Sequence, residues 1–532
     1  MNSRKLEPKE TASRSRNRLR APDLVVLYGT VALTGGAVMV LELLGTRIVG
    51  PFYGVSLYVW SSLIAVTMIA LALGYFLGGW CADRLPRVRL AHLLGLAALG
   101  TLLVPLLSGA VLPASEALGM RAGAFFSTLT LFMVPLTALG MAGPYVIKLA
   151  TSDLSAVGTT AGSVYAVSTV GSVLATLAVG FYLLPEFGTR SIVAGTGIAL
   201  LALAAALAFH ERRRFTRLHI YALAGTVLLI ALLAGAAAFA PARAAAGFTV
   251  RHEAESTYGW VRVVDDERHG IRLLLSDASS IGAVEIDSGR SVLGYQQLLM
   301  VLPLVRAVGT PERPRKALLI GLGAGYVARQ LRAAGIETDT IEIDPAVAQA
   351  AQNYFDFKPT GAFLIGDGRY VVRNLHQRYD FIIHDCFTGG AEPIHMLTRE
   401  MFAQLRDLLA DDGVLAVNFV GFQRGAGSEA VASLSRTLAG LFPVRRVFVT
   451  LPQSDFTDFV FLAAKQPFEL TAGGEAERNF LSVVARHETS VPVDGGVELT
   501  DDFNPLERMQ IRKAERYRQL FVERIAPELL LR

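Results

Sequence analysis

Only two cysteines, Cys81 and Cys386, occur in 532 residues, and they fall in different halves of the chain. That scarcity excludes a disulfide framework and a cysteine-ligated metal site, and no metal is expected. Charge is also sparse. Charged residues make up 18% and hydrophobic residues 52%, with a mean hydropathy of +0.43, which is too apolar for a soluble protein of this length. The apolar excess lies almost wholly before residue 241, so the average hides two different halves. The net charge of +4 is no nucleic-acid signal, because the basic residues cluster at the flanks of apolar segments. Residues 1–20 carry seven Lys/Arg and lack a cleavage-site pattern. Residues 1–22 therefore read as a disordered cytoplasmic tail rather than a secretory signal.

Residues 23–240 supply apolar segments near 24–47, 56–80, 91–113, 122–149, 160–184, 190–209 and 219–240. At about 20 residues per crossing these predict a multi-pass membrane domain of about seven helices, with the lipid bilayer as partner. The 122–149 segment is interrupted by Pro135, Gly140 and Pro144. The tail, Arg84, Arg87, Arg89, Lys148, Arg212, Arg213, Arg214 and Arg217 fall on one side, and Arg47, Arg121 and Arg190 on the other. Excess basic charge marks the cytoplasmic side, which predicts a cytoplasmic amino terminus in the cell membrane. Seven crossings would place everything after residue 240 outside, away from cytosolic donors, so the side of the second half stays open here. Glu42 and Arg47 are ionisable groups near the end of the first segment. Gly162, Gly171, Ala175 and Gly180 suit close helix packing.

Residues 241–248 read as a linker, and the texture then becomes that of a soluble domain. Short strands at 249–252, 260–265 and 271–276 predict a small β lobe over 249–290, followed by a helical stretch at 291–307. Apolar runs at 362–365, 380–384, 413–419, 445–451 and 458–463 alternate with helical patterns at 346–356, 396–410 and 427–441. The alternation predicts an α/β Rossmann-like domain over 291–532.

Residues 316–326 (KALLIGLGAGY) combine an apolar run with Gly321, Gly323 and Gly325, and 340–344 (TIEID) end a second run on Glu342. Strand, glycine turn, helix, strand and acid form the pattern of a nucleoside-type site, where glycines admit the ligand and a carboxylate bonds ribose. Two more acids end expected strands: Asp367, beside Gly368, and Asp385. Ligands in open α/β sheets bind outside the carboxyl ends of strands, so all three acids can meet in one crevice.

From about 253 to 465 the chain resembles the spermidine synthases, the polyamine aminopropyltransferases. The matching pieces are 255–258 (ESTY), Tyr295-Gln296, the glycine turn, 342–344 (EID), 366–368 (GDG), His384-Asp385, Leu397 to Phe402 and Gly413 to Leu415. With 41–47 (LELLGTR), 79–84 (GWCADR, like a major facilitator loop) and 499–505 (LTDDFNP), the whole chain looks like the fused transporter-like/spermidine synthase proteins. The resemblance implies an S-adenosylmethionine methyltransferase-type fold behind a small β lobe. It also implies aminopropyl transfer from decarboxylated S-adenosylmethionine (or use of S-adenosylmethionine itself) as co-substrate to a small-molecule amine such as putrescine, with no tightly bound cofactor. Asp385 matches the family's base. Gln296, Glu342 and Asp367 match its nucleoside contacts, alongside Gly321, Gly323, Gly325 and Gly368 in the glycine-rich turns. Tyr295 matches a tyrosine beside the attacking amine.

At three positions the chain departs from that family. Ala324 stands in the glycine turn where the family has an aspartate, and Thr388 stands where a second aspartate follows the base. Ser454 stands where a substrate-segment tyrosine is expected. These changes deplete the expected polyamine site. They motivate two alternatives, a transporter or sensor with a non-catalytic binding domain and a transferase acting on a lipid-borne amine. Polyamine synthases often pair, so the resemblance admits a homodimer.

Overall fold

The computed structural model describes residues 21–530 apart from 55–56, 86, 152, 308–314, 388–389 and 526, and apart from nearly all of 211–245. The tail at 1–20, the apolar segment at 219–240 and most of the linker at 241–248 thus lie outside the described residues, as does Thr388.

The first half is helical: α1 (Ala21–Tyr53), α2 (Leu57–Arg84), α3 (Leu90–Ser115), α4 (Gly119–Gly140), α5 (Ala142–Ala150), α6 (Val157–Ala178) and α7 (Leu184–His210). Five stretches among the described residues are long and apolar enough to cross a membrane, one of them the 61-residue run Leu90–Ala150. That run holds α3, α4 and α5, and it folds back at Gly119 so that α3 packs along α4. The expected 122–149 segment divides at Met141, next to Pro144, which has no N–H for the first turn of α5. Pro135 is accommodated inside α4. A π-turn at Val179–Leu183 and a kink at Gly188 (φ 69°) join α6 to α7 where a clean boundary was expected.

Small residues do pack α1 on α6, though only some of those expected. A Cβ on Gly171 would lie 2.2 Å from the Ala32 carbonyl oxygen, while Gly162 and Gly180 face open space. The outward surface of α6 is apolar, with Val170, Val173, Leu174, Leu177, Phe181 and Tyr182 exposed.

The second half begins with an antiparallel meander, β1 (Phe248–Glu255), β2 (Trp260–Asp266), β3 (Ile271–Ser276) and β4 (Ser279–Glu285). The expected helix at 291–307 is shorter than the pattern suggested. It comprises α8 (Gly294–Leu298), a 3-10 turn (Leu299–Leu304) containing Pro303, and β5 (Val305–Ala307). Alternation then runs β6 (Lys316–Ile320), α9 (Tyr326–Ala333), β7 (Glu337–Glu342), α10 (Pro345–Tyr354), β8 (Phe363–Ile365), α11 (Gly368–Val372) and β9 (Tyr379–His384). It continues through α12 (Arg399–Leu408), β10 (Leu409–Phe422), α13 (Glu429–Ala439), β11 (Val444–Val449) and β12 (Phe456–Ala464). Beyond lie β13 (Phe468–Leu470), α14 (Glu475–Ala485), β14 (Glu488–Thr489), α15 (Leu506–Met509) and α16 (Ile511–Arg524).

The main sheet has the order β14-β11-β12-β10-β9-β6-β7-β8. Strands β10, β9, β6, β7 and β8 are parallel, whereas β12 is antiparallel to both neighbours. The winding reverses between β6 and β9, so a crevice opens outside their carboxyl ends.

The two halves share one apolar cluster that includes Leu112 and Phe132 of the bundle, Val264 and Leu275 of the lobe, and Phe521 and Leu529 of the carboxy-terminal segment. Polar contacts pin the seam. Thr189 donates from its backbone N and its hydroxyl to Glu255 (2.9 and 2.7 Å), and Arg47 donates to the Thr257 carbonyl. Arg518 donates to the Phe52 carbonyl at 2.6 Å and to Glu116 at 3.1 Å. All these contacts lie where α1 and α3 end and α7 begins. The Asp83–Lys148 and Asp23–His210 pairs mark the opposite end of the bundle.

Candidate active site

Local backbone chemistry sets the floor of the crevice. After β6 the chain turns through Gly321 at φ 90°, where a Cβ would lie 2.1 Å from the Asp385 carbonyl oxygen. Only glycine brings the ends of β6 and β9 this close without strain. Gly323 (φ 52°) is similarly pressed against the Ile281 carbonyl of β4, so the lobe closes one side. Gly325 is the residue before α9 and packs on Phe357; it lies outside the cavity wall.

A cavity of about 390 Å³ fills the crevice, and its wall includes Gly321, Gly323, Glu342, Asp367, Gly368 and Asp385. The three acids placed at strand ends by pattern therefore share one wall. Glu342 accepts the Leu322 and Asp344 N–H groups, each at 3.0 Å on a different oxygen, which leaves lone pairs for ligand hydroxyls. Burial pushes its carboxyl up, against those two bonds. Asp344 in turn accepts from Ser256 at 2.8 Å and caps α10 through the Ala346 N–H. Asp367 caps α11 through the Tyr370 N–H (2.9 Å) and lies 3.2 Å from His395 Nε2. Burial raises its carboxyl, but the Tyr370 and His395 contacts outweigh burial and hold it below the usual range.

At the other end Asp385 is held on both oxygens. Tyr295 donates its hydroxyl to Oδ2 at 3.1 Å and Asn418 donates its amide to Oδ1 at 2.9 Å. Gln296 does not line the cavity. It is buried behind Tyr295, donating to that hydroxyl at 3.2 Å and accepting from Ser291 at 2.6 Å. Burial pushes the Asp385 carboxyl up to about 6, opposed by the bonds from Asn418 and Tyr295 and reinforced by Asp458 and Glu392. A carboxylate so placed is a proton acceptor near neutral pH. Burial, with the charge of Asp385, also keeps the Tyr295 phenol protonated.

Two of the positions that depart from the family pattern are not on the wall. Ser454 spends its hydroxyl on the Phe456 carbonyl (2.8 Å) in the turn before β12. Ala324 is 1% exposed in an apolar cluster with Val261, Leu274 and Val347, and a Cβ on Gly282 would lie 2.4 Å from its methyl.

Sequence reasoning missed four residues of the cavity wall near Asp385. Asn418 and Asp458 come from the antiparallel pair β10 and β12, Phe387 from the loop after β9, and Tyr517 from α16. Only the acid within an apolar strand run, Asp458, left a signal that could have found it. The wall contains no lysine or arginine among the described residues, and those residues hold no group of three or more His, Cys, Asp or Glu able to bind a metal.

The sheet order and crevice define a Rossmann-like methyltransferase-type domain. Residues 292–465 match the Spermine/spermidine synthase domain family, so the carboxy-terminal half carries a spermidine synthase domain. Among curated proteins, an N-terminal histidine N-methyltransferase of Emericella nidulans is 33% identical over 240 residues, covering 41% of this chain and 42% of that protein. A polyamine aminopropyltransferase of Vibrio vulnificus is 39% identical over 113 residues, covering 20% and 38%. The chain thus spans about two fifths of the length of these two relatives. Among solved structures, a probable spermidine synthase from Corynebacterium glutamicum is 17% identical with a TM-score of 0.37, covering 45% of this chain and 86% of that one.

Proposed function

We propose that the chain is a membrane-bound transferase that moves an alkyl group from the sulfonium of an S-adenosyl donor to an amine nitrogen. The single observation that carries this is Asp385, fixed on both oxygens by Tyr295 and Asn418 in the cavity that Glu342 and Asp367 also line. Glu342 would hold ribose hydroxyls, and Asp367 the base edge, with Gly321 and Gly323 admitting the nucleoside. The bound sulfonium supplies an electrophilic carbon. The amine lone pair forms the new N–C bond while the C–S bond breaks, its electron pair staying on sulfur as a neutral thioether. Asp385 accepts the amine proton. In the first reading the group is aminopropyl and the acceptor is putrescine or a related polyamine, in keeping with the spermidine synthase domain.

A second reading, methyl transfer from S-adenosylmethionine, is favoured by Ala324. Ala324 stands where the resemblance expects an aspartate, and its methyl is buried in an apolar cluster off the cavity wall, so no carboxylate from the glycine turn faces the donor. The Emericella nidulans methyltransferase points the same way. Full-length protein in detergent, given each donor with putrescine or a histidine-terminated peptide, separates the readings. Release of 5′-methylthioadenosine marks aminopropyl transfer and S-adenosylhomocysteine marks methyl transfer. Release of neither with any acceptor would overturn both.

The bilayer seat is supported by the apolar outer face of α6 and the five apolar stretches. The soluble domain packs on the bundle end that carries Arg47, Arg121 and Arg190, opposite the end of Arg84, Arg89 and Lys148. With basic charge marking the cytoplasm, the domain would face away from it. Carboxy-terminal fusions to alkaline phosphatase, active only outside the cytoplasm, test this; phosphatase silence with an active cytosolic reporter would reverse it.

A further inference from the structure

Asp458 interrupts the apolar run of β12. Its pairing opposite Val420 puts it on the sheet face that carries Asn418, so it opens to the cavity beside Tyr295, Asp385 and Tyr517. One oxygen accepts from Thr450 at 2.9 Å. The cation that acts on it among the described residues is Lys513 of α16. That ammonium is buried, paired with Glu392, and set 4.4 Å over the Phe419 ring and 5.7 Å from the Phe387 ring. Glu392 also accepts from the Val420 N–H and from Gln510, each at 2.9 Å.

A carboxylate drawn out of water beside a second carboxylate, with no lysine or arginine on the wall among the described residues, is costly to keep without a ligand. A second vacancy of the same sign lies next to it. Asn418 spends its amide N–H on Asp385, which leaves its Oδ1 buried without a partner although the residue is 4% exposed. Asp385, Asp458 and Asn418 Oδ1 therefore present acceptors only, and they call for a ligand rich in N–H donors.

We infer that Asp458 is the second anchor of the acceptor, holding a basic nitrogen a few bonds from the nitrogen that attacks at Asp385. The inference rests on the amine-transfer reading and names its substrate class: amines bearing a second basic nitrogen, whether an alkyl ammonium or an imidazole.

Calorimetry on full-length protein saturated with 5′-methylthioadenosine tests the anchor without requiring turnover. The ligand pairs are 1,4-diaminobutane against butylamine and histamine against phenethylamine. At least one two-nitrogen ligand should bind tenfold or more tighter than its partner, and the pair that discriminates identifies the kind of second nitrogen. Asp458→Asn should erase that difference while changing the one-nitrogen ligand and the nucleoside by less than twofold. Asp455→Asn, an exposed acid three residues earlier, should change neither. Equal binding within both pairs by the wild type, or equal weakening of both members by Asp458→Asn, would overturn the anchor. Transfer assays on the same protein report separately: discrimination without thioether release would sink the transfer reading and leave the anchor standing.

Discussion

Tyr295 and Asp385, ninety residues apart in sequence, meet at 3.1 Å through a phenol that donates to a carboxylate. With Asn418 on the other oxygen, the proposed base has a fixed orientation before any amine arrives. Asp385→Asn should therefore lower kcat by about 10²- to 10⁴-fold, the range for losing a positioned base. Thioether nucleoside affinity, measured by calorimetry, should stay within about threefold.

The pH profile follows from the raised carboxyl of Asp385. Only the ionised form accepts a proton, so kcat/KM should rise through about pH 6 and level off above it, and Asp385→Asn should lose that limb. Stability runs the other way. A folded-state value above the unfolded one near 4 means that folding favours the protonated acid, so wild-type stability relative to Asp385→Asn is greatest below about pH 4 and declines until about pH 6. Thermal melts of both proteins across pH 4–7 check the sign.

On the donor side, Glu342→Gln is nearly isosteric but removes the charge that ribose hydroxyls would meet and turns an NH2 donor toward one of the two backbone amides. Thioether nucleoside affinity should fall by about 10-fold, about 1.4 kcal/mol. An unchanged affinity would mean that Glu342 only caps the Leu322 and Asp344 amides.

The aspartate missing from the glycine turn should not be recoverable by itself. Ala324→Asp would bury a carboxylate among Val261, Leu274 and Val347 and against Gly282. The expected cost is about 3 kcal/mol or more, read as a lower denaturation midpoint, with no gain in aminopropyl donor binding.

Much of the sheet was legible because its parallel strands are short apolar runs that stop on an acid, as at Glu342 and Asp385, or just before one, as at Asp367. A strand buried on both faces is largely apolar until its end reaches the crevice, as β6 is, whereas β7 carries buried Thr338, Asp339 and Thr340 and was placed by its Ile341-Glu342 end. The cavity wall near Asp385 was less legible. Asp458 sits inside a run that reads as core, and its exposure depends on β12 lying antiparallel beside β10, which no local pattern encodes. Tyr517 and Lys513 arrive on α16, whose return to the seam depends on contacts such as Arg518 with Phe52 and Glu116 rather than on periodicity. Ser454 shows the opposite failure: it holds a matching position, yet its turn consumes the hydroxyl.

Three residues of the 255–258 stretch carry a last consequence. Glu255 is bonded to Thr189 of the bundle, Ser256 to Asp344, and Tyr258 lines the cavity, while the Asp344 N–H completes Glu342. The bundle therefore acts as the jig in which Glu342, the proposed ribose contact, is set. A truncated protein starting at Phe248 would keep every strand of the main sheet yet lose the clamp that locates its nucleoside floor. A soluble half that folds and fails to bind donor would locate part of the active site's rigidity in the helices, and would say nothing against the chemistry.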